Sequence, residues 1–300
     1  MLNTKFHTPV MLREVLEYLD LKPGKLIVDA TLGTAGHSEN ILERILPGGG
    51  LIGIDRDQES LSIARERLSK FGSAAKFIHG NFVDLDTLLE GLKISKVDGA
   101  LFDLGISSIQ LQDTGRGFSF QKEGPLDMRM DKDSYVSAYD LVNNLNEEEL
   151  STLLWNFGEE RWHNRIARIL VQEREKHPIT TTLELANIVT RSIPPRYRYH
   201  HYRIHPATRT FQAVRIAVNR ELEILESAVN KAIALLNKKA RICVISFHSV
   251  EDRVIKFAFR KAEADGLINI ITATPLTPAQ SEVVINPASR SSKLRVAERA

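Results

Sequence analysis

The residues best suited to chemistry stand in a short run at positions 29–37, DATLGTAGH. Gly33 and Gly36 permit a tight turn and close approach of a ligand to the backbone, and a helix starting there offers its free N–H groups. Asp55 follows Gly36 by nineteen residues at the end of a second apolar run, where a carboxylate can accept both ribose hydroxyls of a nucleoside. The turn is shorter than the G-x-G-x-x-G of dinucleotide folds, and Asp29 stands at its entrance. A carboxylate there repels a pyrophosphate and suits the positively charged amino-acid end of S-adenosylmethionine (SAM). The pattern favours SAM over NAD; the plainer alternative is a tight turn beside a solvated Asp.

Further along, residues 102–108 (FDLGISS) put Asp103 at the same edge, opposite the turn, where a methyl acceptor must lie. Turn formation alone is the competing role for an Asp at such a place. Asn81 and Phe82 follow a third apolar run, and Phe82 either stacks on an adenine or fills the core. His248 and Ser249 follow a late strand and face the same cleft or cap a loop, while Glu251 and Asp252 open a helix. Cys243, the single cysteine, excludes an intrachain disulfide and a cysteine-built zinc site and is read as packing. His163 and His177 have no matched partners, so no metal site is expected.

The elements that must hold these residues alternate over the first hundred positions. Apolar runs of strand length at 26–30, 51–55, 76–79 and 97–103 are separated by helical spacing at 38–46 and 59–71. Alternation of this kind argues for a mostly parallel sheet covered on both faces, with ligands at the carboxyl ends of the strands. After about residue 108 the rhythm stops. A Gly-rich loop at 115–124 leads into helical stretches at 138–145, 146–157, 161–175 and 183–191, with Asn146 and Glu149 spaced as a reciprocal cap. A single long amphipathic helix is expected over 210–236, then a buried strand at 241–247 and one or two strands in the last forty residues. The chain thus reads as an α/β domain at 1–110 and 210–300, interrupted by an all-helical insertion at 111–209.

Composition narrows the partners. Three hundred residues with 43% apolar and 26% charged exclude a disordered or fibrous chain, and no apolar run reaches the roughly 18 residues of a membrane span. The N-terminus has no secretory pattern, and a reducing cytoplasm is the expected compartment. The net charge of +2 conceals a division. Residues 185–220 contain no Asp or Glu but seven arginines, three histidines and Tyr197, Tyr199 and Tyr202. Residues 123–160 carry ten acids against Arg129 and Lys132. Arginine interleaved with tyrosine suits phosphate contacts and base stacking; a solvated face of structural arginines is the competing reading.

Longer motifs then carry a resemblance. HTPVMLREVLEYL from His7, DATLGTAGHS from Asp29, IGIDRD from Ile52, LFDLGISSIQL from Leu101, RGFSFQKEGPLDMRMD from Arg116, GEERW from Gly158, HPATRTFQAVRIAVNREL from His205, ISFHSVEDRVIK from Ile245 and NPASRSSKLR from Asn286 span nearly the whole chain. The sequence resembles the RsmH (MraW) family. The resemblance implies a Rossmann-like SAM methyltransferase sheet with an inserted helical domain. The activity it implies is methylation of the exocyclic N4 of a cytosine in the decoding region of 16S ribosomal RNA. It places the cofactor on Ala35, Gly36, His37, Asp55, Phe82, Asp103 and Gln110, beside Gly33. Thr34 and Ala35 stand where the family has glycines, and Ile109 where it has proline, so the turn is expected to be shaped differently.

An exocyclic amine is a poor nucleophile, so the enzyme must fix its attack geometry and accept its hydrogen bonds, with Asp103 the leading catalytic candidate. The base must also be unstacked into a pocket. Arg196, Arg198, Arg203 and Arg209 are the expected RNA contacts. The partners are small-subunit ribosomal RNA or the assembled 30S subunit, with no membrane; a homodimer is left open. Two other classes remain: a non-catalytic RNA-binding or ribosome-assembly protein on a SAM-type fold, and a nicotinamide-dependent oxidoreductase, which the short turn and Asp29 disfavour.

Overall fold

The computed structural model describes residues 9–106, 110, 111, 113–198 and 204–300. It divides into two compact units, residues 1–107 with 222–300, and residues 108–221.

The first unit is built on a seven-stranded sheet. Its strands are β1 (Leu26–Asp29), β2 (Gly50–Asp55), β3 (Ala75–His79), β4 (Val97–Asp103), β5 (Leu236–Ser246), β6 (Ile268–Ile270) and β7 (Lys293–Arg299), in the order β3-β2-β1-β4-β5-β7-β6. The pairs from β3 to β5 are parallel, whereas β7 pairs antiparallel with both β5 and β6. The Rossmann-like α/β sheet expected from the alternation is therefore present. The antiparallel β7 entering between β5 and β6 departs from the plain doubly wound order.

Adjacent residues of the central strands serve opposite faces, as the pleat requires. Val28, Ile52, Ala100 and Val244 pack with helices α4 (Leu85–Gly91), α11 (Glu221–Leu235) and α12 (Ser249–Ala264). Ile27, Leu51, Leu101, Cys243 and Ile245 pack with α1 (Leu12–Tyr18), α2 (Gly36–Ile45) and α3 (Gln58–Leu68). Strands buried on both sides read as continuous apolar runs, which is why they were visible in the sequence. Cys243 is fully buried, and its thiol is pushed far up by desolvation, in keeping with packing. Among the described residues no helix is long and apolar enough to cross a membrane.

The second unit is helical: α5 (Ala138–Asn144), α6 (Glu147–Gly158), α7 (His163–Arg174), α8 (Thr182–Ser192), α9 (Pro195–Arg198) and α10 (Thr208–Asn219). Asn146 and Glu149 form the anticipated reciprocal cap of α6, with bonds of 2.9 and 2.8 Å. The long helix expected over 210–236 is instead two helices. Arg220 takes a left-handed conformation (φ 51°) between α10 and α11, and Arg215 grips Glu221 with two bonds of 2.9 and 2.8 Å across the break. A pattern of apolar spacing cannot reveal such a break, because both helices keep the same period on either side of one turned residue.

The break also places α10 in the helical unit, so the second join lies near 221 and not at 210. The reason is close packing on α6. A Cβ on Gly158 would meet the Arg209 carbonyl oxygen at 2.7 Å, Arg209 donates to the Glu159 carbonyl (2.8 Å), and Gln212 donates to that of Phe157 (3.0 Å). At the far end of α10, Asn219 accepts from the Met130 amide and donates to the Met128 carbonyl, both at 2.8 Å. Buried Arg116 donates to the carbonyls of Arg129 and Met130, so the RGFSFQKEGPLDMRMD segment is tied down by backbone contacts.

Candidate active site

The first unit gathers its polar side chains at the carboxyl tips of β1, β2, β4 and β5. Asp29, the last residue of β1, is buried and turned inward: its carboxylate accepts the Ser38 hydroxyl at 2.6 Å and the Thr31 amide at 3.2 Å. Burial raises its pKa to about 6; the two hydrogen bonds oppose the rise and the charge of Asp55 adds to it. Asp29 thus ties the turn to the first turn of α2.

The turn itself is held by Asp55. Its Oδ2 accepts the Gly33 amide at 2.7 Å and its Oδ1 the Asp57 amide at 2.8 Å, so both oxygens are oriented by backbone donors. Each keeps a second lone pair. Burial raises the Asp55 pKa against the lowering effect of those two amides. Gly33 needs its left-handed backbone (φ 51°), and Ala35 adopts one as well (φ 62°, ψ 30°) as the residue preceding α2. A Cβ in that conformation costs about 1–2 kcal/mol. The Ala35 methyl is fully buried, which offsets part of it. Gly36 opens α2, and a Cβ there would sit 3.4 Å from the Pro9 ring.

His37 and Asp103 meet across the top of the sheet. His37 is buried, and its Nε2 lies 2.9 Å from the Val10 carbonyl, which makes Nε2 the donor and leaves Nδ1 3.5 Å from Asp103 Oδ2. The Asp103 amide donates to Thr31 Oγ1 at 2.6 Å. The other carboxylate oxygen, Oδ1, is buried and has no hydrogen-bond partner among the described residues. The Asp103 pKa is driven well above the ordinary value, chiefly by burial and then by the charges of Asp29 and Glu251. An unsatisfied buried acceptor among further carboxylates is a place for a cation.

Glu251 was read in the sequence only as a helix start. It is buried: Oε2 accepts the Phe247 amide at 2.9 Å, and Oε1 lies 3.1 Å from His248 Nε2. His248 caps α12, its Nδ1 accepting the Glu251 amide at 3.2 Å, so the capping role foreseen as one alternative is present. The spacing of His248 and Glu251, three apart before an apolar helix, carried the signal in a histidine variant of the usual Ser/Thr cap. Asp252 is occupied by Arg295 (2.7 Å) and Lys293 (3.2 Å), which keep its carboxyl below the ordinary range against the opposing effect of burial. Phe82 is partly buried and meets Phe102 edge-on at 5.8 Å, so it belongs to the core margin and still shows part of its ring.

The remaining expected residues fall in the second unit. Gln110 is buried there. Arg209 is half-buried, with one nitrogen on the Glu159 carbonyl. Arg196 is exposed, 4.8 Å from the Tyr197 ring centre. The Arg198 side chain, Arg203, Ile109 and residues 107 and 108 lie outside the described residues, as do Tyr199, His200, His201 and Tyr202.

SAM, the cofactor expected from the sequence, carries an ammonium, a sulfonium and a ribose diol. The oriented Asp55 carboxylate retains lone pairs, and Asp103 Oδ1 is a buried acceptor with no hydrogen-bond partner among the described residues.

The chain is similar to known proteins over nearly its whole length. Residues 4–300 match a family described as the MraW methylase family. The chain is 49% identical to a ribosomal RNA small subunit methyltransferase H of Trichlorobacter lovleyi, with 98% of each chain covered. It is 43% identical to the protein of the same name from Clostridioides difficile, again over 98% of each. A solved structure of an rRNA methylase from Streptococcus thermophilus is similar at 11% identity and a TM-score of 0.43, covering 96% of this chain and 93% of that one.

Proposed function

Given that the chain belongs to the MraW methylase family, we propose that it transfers a methyl group from SAM to the exocyclic N4 of a cytosine in the decoding region of small-subunit ribosomal RNA. It is an rRNA methyltransferase, and its cofactor is SAM, which when bound supplies an electrophilic methyl on a sulfonium. The observation that carries the site assignment is the buried Asp103 Oδ1, without a hydrogen-bond partner among the described residues and close to the charges of Asp29 and Glu251.

In this reading Asp103 accepts the ammonium of the amino-acid end, with His37 packed beside its second oxygen. Asp55 accepts the ribose hydroxyls, Gly33 and Ala35 shape the turn that passes under the nucleoside, and Phe82 edges the adenine. Bound SAM would supply its sulfonium methyl to the N4 lone pair, the N–C bond forming as the S–C bond breaks. Methylation leaves the nitrogen cationic and strongly acidic, so its proton passes to bulk solvent as the product leaves, without a strong base. The protein's part is to fix the angle and exclude water, which is where oriented binding contributes most. Gln110, Arg196, Arg198, Arg203 and Arg209 are assigned to the same reaction, Gln110 toward the cofactor and the arginines toward the RNA. The substrate is the rRNA alone or within the assembled 30S subunit, and the reaction belongs to the cytoplasm.

Incubation of the protein with SAM and unmodified small-subunit RNA, or 30S subunits, followed by mass spectrometry of the nucleosides, is expected to yield N4-methylcytidine. A methyl on ring carbon or ribose, or no product from either substrate, would refute the reading.

A further inference from the structure

The arginines of the acid-free block divide by what holds them. Arg215 is bonded twice to Glu221, and Arg209 donates to the Glu159 carbonyl, so both are built into the helical unit. Arg196 has no ion pair among the described residues; its exposed guanidinium lies 4.8 Å from the ring centre of Tyr197.

A second arginine of the same kind comes from outside the block. Arg161, just before α7, is exposed, and its guanidinium carbon lies 5.6 Å from the Trp162 ring centre and 5.8 Å from that of Tyr197. It too has no ion pair among the described residues. The Trp162 and Tyr197 rings are 5.3 Å apart and tilted by 45°, so all four side chains form one array. The nearest acid in sequence, Glu160, is wholly buried, its Oε1 accepts the Trp162 amide at 2.8 Å, and burial raises its pKa. It is therefore not on the surface to neutralise either arginine.

A guanidinium held against an aromatic ring keeps its N–H donors free in their own plane, the arrangement that suits phosphate oxygens. Rings beside such cations offer a face or an edge to an unpaired base. The geometry points to a clamp for single-stranded RNA, in which Arg161 and Arg196 hold neighbouring phosphates and Trp162 with Tyr197 receives an unstacked base. This rests on the reading of the protein as an RNA methyltransferase and adds Arg161, Trp162 and Tyr197 to the Arg196 contact that reading assigns.

The test uses the full-length protein and a labelled single-stranded RNA, with affinity followed by fluorescence anisotropy over a range of potassium chloride. The double variant R161Q/R196Q is expected to bind about tenfold more weakly at low salt and to lose about 1.4 from the slope of log affinity against log salt, about 0.7 for each phosphate on a single strand. W162A is expected to weaken binding with the slope unchanged. In a W155F background, Trp162 emission is expected to be quenched by RNA. SAM affinity and melting temperature serve as folding controls. A double Gln variant with the affinity and slope of the parent would overturn the clamp; if that parent also methylates RNA, the enzymatic reading stands without it. Loss of slope in the variant, with no methyl product from the parent, would keep the clamp and overturn the enzymatic reading.

Discussion

Asp103 offers a perturbation whose two consequences have opposite signs. Replacement by Asn keeps the shape of the side chain and removes a charge that is buried, has no partner on Oδ1 among the described residues, and sits near Asp29 and Glu251. A buried polar group without a partner costs about 1–3 kcal/mol. Asn keeps a polar group there but removes the charge, with its burial cost and its repulsion from Asp29 and Glu251, so the melting temperature of Asp103→Asn is expected to rise at pH 8. The pH dependence follows from the raised pKa. The native state keeps the Asp103 proton to higher pH than the unfolded chain does, so the parent loses stability as pH rises above the ordinary carboxylate value. Asn does not titrate, and the advantage of the variant should therefore shrink toward zero below about pH 4. SAM binding should move the other way. Loss of one charge-assisted hydrogen bond, worth about 1.5–3 kcal/mol, weakens affinity about 10- to 150-fold. Differential scanning calorimetry across pH and titration calorimetry with SAM measure the two effects. A variant less stable than the parent at pH 8, or one that binds SAM equally well, would show that Asp103 is satisfied inside the fold and is not a cofactor ligand.

Three further outcomes are expected. Asp55→Asn turns an amide NH2 toward the amide of Gly33 or of Asp57, both now held at 2.7–2.8 Å; titration should show SAM affinity falling at least tenfold, and melting should report a stability loss of about 1–3 kcal/mol. In Asp29→Asn the stability difference from the parent should grow in the variant's favour as pH rises from about 4 to 6, by up to about 3 kcal/mol for a pKa raised to about 6; a flat difference in urea unfolding across that range would contradict the assignment. Gly158→Ala places a methyl 2.7 Å from the Arg209 carbonyl oxygen, and a calorimetric transition of the helical unit should drop by the equivalent of about 1–3 kcal/mol.

The strands and the turn were legible in the sequence because each is encoded locally. Doubly buried strands are continuous apolar runs, and Gly33 and Asp55 mark the turn and the strand end by residue type alone. The broken helix was not legible, because the left-handed Arg220 is stabilised by packing of α10 on α6 and by the Arg215–Glu221 pair, neither of which changes the apolar period. Ala35 is intermediate. Its departure from glycine was visible, but that the chain still adopts φ 62° there could be known only once its methyl was seen to be buried.

By itself the sequence determined the α/β architecture, the helical insertion, the family and the set of acids at the strand tips, since apolar period and residue spacing specify which residues reach one edge of a sheet. Only the tertiary structure decided how those acids divide their work. Asp29 is bonded to Ser38 and turned inward, Asp55 is held by two amides, and Asp103 keeps one oxygen without a partner among the described residues, near the charge of Glu251. The division depends on which donors happen to be within 3 Å after folding, a distance that spacing along the chain does not encode.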